Sequence, residues 1–212
     1  MADIEQDNIS EQATIGSRDL ILAAATAEFS NLGFAGARVD RIARTAGVNK
    51  AMIYYHFTSK RELYRACLED LMSRKATDLK AAFDADASLE TALAGLADAY
   101  VSLFAGDPQG GRLLLRALAE RDADSIDRLA DAMRSSGLPQ HVTSKLVQGM
   151  TAGHLRPVDV RQAMVSFVVM NVGYFILSPL VNRVLQIDDP VEFIQNRKAA
   201  VVDLFLNGVK AK

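Results

Sequence analysis

The chain has 212 residues, half of them hydrophobic, with 24 Lys and Arg against 26 Asp and Glu and a net charge of −2. That much apolar material can close a real core, which excludes an intrinsically disordered chain. The single cysteine, Cys67, excludes an internal disulfide and fits a reducing compartment; it reads either as a small buried hydrophobe or as a redox-sensing thiol.

The charge is unevenly distributed along the chain. Residues 1–16 hold Asp3, Glu5, Asp7 and Glu11 and no Lys or Arg, for a net −4, and read as an acidic, weakly ordered tail. They lack the basic-then-apolar pattern of an export signal, so the expected location is the cytoplasm. Residues 17–65 carry a net +4 and residues 66–212 a net −2, so the middle segment is the one suited to a polyanion.

Apolar residues recur at three- and four-residue spacings, strand-like alternation is nearly absent, and the five prolines leave long uninterrupted stretches. An all-α fold follows. A first helix is predicted from the N-cap Ser17 to Leu32, with Ile21, Ala24, Ala25, Phe29 and Leu32 on one face and Gly33 as its stop. Short helices are predicted over 39–46 and 50–56, with Gly47 supplying a left-handed turn and Asn49 a cap. Ser59-Lys60-Arg61-Glu62 reads as a capping box that opens a long helix to about Phe83. Further helices are predicted at roughly 89–105, 110–121, 125–135, 140–152, 158–185 and 190–207, punctuated by the Pro- and Gly-containing turns near 106, 137, 157 and 189.

The segment 38–57 carries the functional signal. Two short helices crossing at an angle need a small residue at the contact, a glycine in the turn and apolar facing surfaces, and Ala43, Gly47, Val48 and Ile53 meet these needs at helix-turn-helix spacing. Such a motif lays its second helix in the major groove and its first across the backbone. Lys50 and Ala51, at the start of the second helix, can reach base edges. Tyr54, Tyr55 and His56 lie one turn on, with polar tips suited to phosphate oxygens, although one ring is equally suited to packing on the first helix. Lys60 begins the next helix, where its charge and nearby backbone donors suit a phosphate. Arg38, Arg41 and Arg44 are either phosphate contacts or an ordinary solvated face.

Gly33-Phe34, Ile42-Ala43, Ala46-Gly47-Val48, Lys50, Ile53-Tyr54-Tyr55-His56-Phe57 and Ser59-Lys60-Arg61-Glu62-Leu63 together resemble the amino-terminal domain of the TetR family over residues 17–65. The resemblance implies DNA contacts for Lys50, Ala51, Tyr54, Tyr55, His56 and Lys60, and Asn49 beside them is a further DNA-binding candidate. It also implies that residues 66–212 form a larger helical domain that holds an effector pocket and dimerises through its last two helices. Two departures stand out: Ala37-Arg38 occupies the place where the family usually has a Ser or Thr helix cap, and the acidic tail does not suit a DNA-clamping arm.

No charged residue occurs between Arg161 and Arg183, a stretch long enough to span a bilayer, but Gln162, Ser166, Asn171, Ser178, Pro179 and Asn182 interrupt it. It reads instead as a helix buried on nearly all sides, partly in the core and partly against a second subunit. Val191, Phe193, Ile194, Val201, Val202, Leu204 and Phe205 give the last helix a matching apolar face. Tyr100, Phe104, His141, Met150, Phe167, Met170, Asn171, Tyr174 and Phe175 are candidates for an effector pocket or for plain core, and such a pocket would favour a largely apolar ligand.

An enzyme is the first competing reading, but the chain has no phosphate-cradling glycine loop, no Gly-x-Ser-x-Gly elbow and no Cys or His pair at metal spacing; His141 and His154 read as incidental. No cofactor is expected. A non-specific DNA-binding protein is the second, and its basic charge would be spread more widely. The sequence therefore points to a sequence-specific, homodimeric transcription regulator, a repressor released from a palindromic operator by a small molecule.

Overall fold

The computed structural model describes residues 2–83 and 86–211, with side chains from Gly16 onward. Helices account for most of these residues, and among them the extended pairing is confined to a single bridge between Leu155 and Lys210. The order is α1 (Ala2–Gly36), α2 (Val39–Ala46), α3 (Lys50–His56), α4 (Lys60–Ala82), α5 (Leu89–Val101), a π turn (Ser102–Gly106), α6 (Pro108–Glu120), α7 (Ala123–Ser135), α8 (Leu138–Thr151), α9 (Val160–Val184) and α10 (Pro190–Val209).

Two boundaries differ from the sequence expectation. Ser17 does not begin a helix, because α1 starts at Ala2; the residues before Gly16 include no proline or glycine to stop it. The side chains of the acidic stretch, where a weakly ordered tail was expected, lie outside the described residues up to position 15. At the other end Gly33 has φ 69° and ψ 176°, a conformation that breaks the helical path and that an L side chain resists. The predicted helix over 89–105 divides at Ser102, where the backbone widens into the π turn that carries Leu103 and Phe104 inward.

The chain packs as two compact units, one of residues 1–71 and 109–129 and the other of 72–108 and 130–212. In the first, Ile21, Phe29, Ile42, Ile53, Leu63 and Leu68 are wholly buried. Leu32, expected on the buried face of α1, is instead exposed. Polar contacts fasten residues 109–129 to α1 and α4. Tyr64 donates its hydroxyl to Glu120 at 3.1 Å, Arg116 donates to the Asn31 carbonyl at 3.2 Å, and Arg65 pairs with Asp124 at 2.5 Å. Cys67 is buried here, its sulfur 3.8 Å from the Leu22 carbonyl oxygen, and burial pushes its thiol up from 9.0 to about 12. A thiol held neutral and enclosed is a poor redox sensor.

In the second unit α10 packs against α5 and α9, and α8 against α9. The chain end is tied back by the Arg156 amide donating to the Val209 carbonyl at 2.9 Å. Within the single chain α9 is covered on one side only. Ala163, Phe167, Asn171 and Tyr174 form one buried stripe, while Val165, Val169, Ile176, Leu180 and Val184 are exposed. α10 divides likewise: Val201, Val202 and Phe205 face inward, and Val191 and Leu204 face solvent. By length and composition α9 could also cross a membrane.

Candidate nucleic-acid interface

Helices α1, α2 and α3 pack on one another around Ile42 and Ile53, and fully burying such side chains stabilises by about 1.5–3 kcal/mol each. Ala43 is buried at the crossing and Gly47 stands at φ 69°, its amide donating to the Arg44 carbonyl, as a left-handed helix terminus requires. The Val48 amide donates to Ala43 at 3.0 Å, completing the turn. α3 then starts from Asn49, whose Oδ1 accepts the Met52 amide at 2.8 Å, so this side chain is engaged as a cap.

With Ile53 turned inward, α3 presents Lys50, Ala51, Tyr54 and Tyr55 outward, and Tyr55 is three-quarters exposed. Tyr54 is 43% exposed, so neither tyrosine is the ring that packs inward. That role falls to Phe57, which is buried under the Arg18 guanidinium at 5.5 Å. His56 is half-buried between Tyr55 and Phe57 and its Nε2 is shut off from solvent without a hydrogen-bond partner, so that atom is not available to a phosphate as the chain stands.

Lys50, Arg41 and Lys60 are held by neighbours. Lys50 Nζ lies 2.8 Å from Asp40 Oδ1 on α2. That hydrogen bond and charge raise the lysine pKa and lower the aspartate pKa. Arg41 Nε lies 2.9 Å from Glu28 on α1. Arg38 and Arg44 are exposed on the same side as Arg41, and Arg38 makes no side-chain cap bond to α2. Lys60 Nζ sits 4.8 Å over the Phe34 ring and donates to the Ala35 carbonyl at 3.4 Å, which draws it toward the α1–α2 corner. The capping box is half formed. The Ser59 hydroxyl accepts the Glu62 amide at 3.1 Å, but the Glu62 carboxylate turns to Arg65 at 2.6 Å.

The sequence missed Glu28 and Asp40. Both were counted only as charges in a basic segment, although Asp40 precedes Lys50 by a separation that spans the turn between the motif helices.

The pocket candidates disperse. Phe104 stacks on Phe175 at 4.9 Å, Phe175 meets Tyr174 edge-on at 5.6 Å, and the buried Tyr174 donates its hydroxyl to Asn182 at 2.9 Å. Asn171 satisfies its buried amide on its own helix, donating to Phe167 at 2.8 Å, and Phe167 packs on Phe205. Tyr100 is buried and Met150 half-buried, its sulfur accepting the Val158 amide. His141 is exposed on α8, outside this group. Met170 opens onto a cleft of about 440 Å³ that Arg156, Asp159, Gln162, Ser166 and Phe205 also line. Among the described residues no group of three or more His, Cys, Asp and Glu is arranged for a metal.

Comparison with known proteins agrees with the motif. The sequence profile described as "Bacterial regulatory proteins, tetR family" matches residues 21–67. The HTH-type transcriptional activator FasR of Mycolicibacterium smegmatis is 29% identical over 64% of this chain and 67% of its own length. The HTH-type transcriptional regulator RutR of Escherichia coli is 29% identical over 70% of this chain and 68% of its own. The crystal structure of a transcriptional regulator from Streptomyces coelicolor superposes with a TM-score of 0.68 at 28% identity, covering 91% of this chain and 98% of that one. These relatives are regulators rather than enzymes. An all-helical chain, an amino-terminal helix-turn-helix with an outward-facing second helix and these likenesses lead to one assignment: residues 21–67 form a DNA-binding domain of the tetR type, in a chain similar to regulators that carry it.

Proposed function

We propose that the protein is a homodimeric repressor that reads a palindromic operator through α3 and is released from it by a largely apolar small molecule. The observation that carries the DNA reading is the outward set Lys50, Ala51, Tyr54 and Tyr55 on a short helix clamped by Ile53, flanked by the exposed Arg38, Arg41 and Arg44. A cation and a methyl at the helix start suit base edges, and the tyrosine hydroxyls and flanking arginines suit phosphates. In this reading Asn49 contributes chiefly as the cap of α3, His56 packs the end of the recognition helix, and Lys60 meets a phosphate after leaving Phe34.

The exposed apolar face of α9 with Val191 and Leu204 of α10 supports a second copy as its cover. Two such helix pairs make a four-helix contact, and a twofold axis sets two recognition helices one helical turn of DNA apart. The effector is assigned to the second unit, near Phe104, Tyr174 and Phe175, where packed aromatic rings adjoin the hydrogen bond from the Tyr174 hydroxyl to Asn182. Tyr100, Met150, Phe167, Met170 and Asn171 are its further candidates, and the exposed His141 is set aside. Effector binding lowers operator affinity by favouring a conformation with the recognition helices out of register. The cytoplasm, where operator DNA is, is the proposed location.

The test is selection of bound sequences from random duplex DNA, with Lys50→Ala and Tyr54→Ala alongside. Enrichment of a palindrome by the native chain, weakened in both variants, is the expected result. Equal retention of all sequences overturns the specific reading in favour of a non-specific binder.

A further inference from the structure

α2 begins without the side-chain cap that a helix start calls for, since Arg38 occupies the N-cap position with φ −123° and ψ 125° and its side chain makes no cap bond. The backbone around it is nonetheless organised. The Arg38 carbonyl accepts the amides of Arg41 at 3.0 Å and Ile42 at 3.1 Å, and the Arg38 amide donates to Glu28 Oε1 at 3.0 Å. The same Glu28 oxygen takes Arg41 Nε at 2.9 Å, and the Glu28 side chain is only 12% exposed.

In a capping box a carboxylate three residues into the helix returns to the N-cap amide. Here Arg41 stands at that third position and cannot supply a carboxylate. Glu28 does so from α1, ten residues upstream, and pairs with the arginine that took the place. A carboxylate at this point also faces the positive end of α2.

We propose that Glu28 is a positioning residue for operator recognition: it replaces the missing cap of α2 from outside the helix, fixing the angle at which α2 crosses the DNA backbone and, through Ala43 and Ile53, the seat of α3. The proposal rests on the operator-binding reading for its functional consequence, but its structural half can be read without DNA. It also accounts for the position of an acidic side chain in a face otherwise made of Arg38, Arg41 and Arg44.

The experiment compares native protein with Glu28→Ala and Glu28→Gln in two arms. Amide hydrogen exchange on the free full chain reads residues 38–42, with Leu68 and Leu71 of α4 as internal reference. Glu28→Ala is expected to speed exchange at 38–42 about fivefold or more with the reference unchanged. Glu28→Gln, whose amide oxygen still accepts the Arg38 N–H, is expected to stay within about twofold of native. Unchanged exchange in Glu28→Ala, an equal effect of both substitutions, or an equal rise at the reference amides overturns the proposal. The second arm measures affinity for the duplex that the native chain selects from a random pool. Glu28→Ala is expected to weaken it about fivefold or more, with Glu28→Gln within about twofold. If the native chain selects no sequence, the operator reading fails and the exchange arm alone decides the role of Glu28.

Discussion

Lys50 Nζ lies 2.8 Å from Asp40 Oδ1, so the cation at the head of α3 is held by a carboxylate on the preceding helix, and both side chains remain largely open to solvent, 49% and 68% exposed. An exposed pair of this kind contributes little to folding, and salt screens it. Under the proposed operator reading its effect falls on recognition, because a base or phosphate would have to compete with Asp40 for the lysine.

Asp40→Asn is therefore expected to leave the melting temperature near native while raising operator affinity severalfold and steepening the salt dependence by about one phosphate contact. Lys50→Ala is expected to weaken specific binding by roughly five- to a hundredfold. In the double variant the gain from Asp40→Asn should largely vanish, and a full gain in the absence of the lysine would show that Asp40 acts on DNA directly. Fluorescence anisotropy titrations at several salt concentrations give all three numbers.

Two glycines should fail for different reasons. A Cβ on Gly47 meets nothing within 4 Å, so Gly47→Ala is penalised only by its φ of 69°, about 1–2 kcal/mol, and Gly47→Asn should recover much of that. A Cβ on Gly95 would lie 2.1 Å from the Ala82 carbonyl oxygen, a collision with backbone, so Gly95→Ala should cost more than Gly47→Ala and Gly95→Asn should bring no recovery. Denaturant midpoints order the four variants.

The open face of α9 gives a third test. Ile176 and Leu180 are 56% and 62% exposed, so charges placed there cost the isolated chain little. Ile176→Glu with Leu180→Glu should convert a dimer into a monomer in sedimentation while helicity is retained. A native chain that sediments as a monomer removes the proposed second copy as the cover of that face.

The buried Cys67 predicts a pH effect. Its pKa rises from 9.0 to about 12 through burial, so above pH 9 the unfolded chain gives up the proton more readily than the folded one. Stability from this group is complete below pH 9 and is lost as pH climbs from 9 toward 12. Cys67→Ala should flatten part of that loss, and native Cys67 should react with a thiol reagent at pH 8 only on unfolding. Tyr100, raised from 10.0 to about 12 by burial, contributes with the same sign and remains in the variant.

The sequence by itself determined the all-helical class, the two motif helices over 39–46 and 50–56 and the Gly47 turn, because helix periodicity, capping and a left-handed glycine are set by residues within a few positions of one another. It also placed Lys50, Ala51, Tyr54 and Tyr55 on one surface, since one buried residue in a short helix, Ile53, fixes the direction of the rest. What only the tertiary structure decided depends on residues distant in the chain. Glu28 reaches the start of α2 across ten residues, Phe57 rather than a tyrosine packs inward beside Arg18, and residues 109–129 join the amino-terminal unit through Tyr64–Glu120 and Arg65–Asp124. The apolar run of α9 belongs with these. Composition reports how much of the helix is hydrophobic, but which stripe the chain covers and which it leaves exposed is set by where α5, α8 and α10 come to rest.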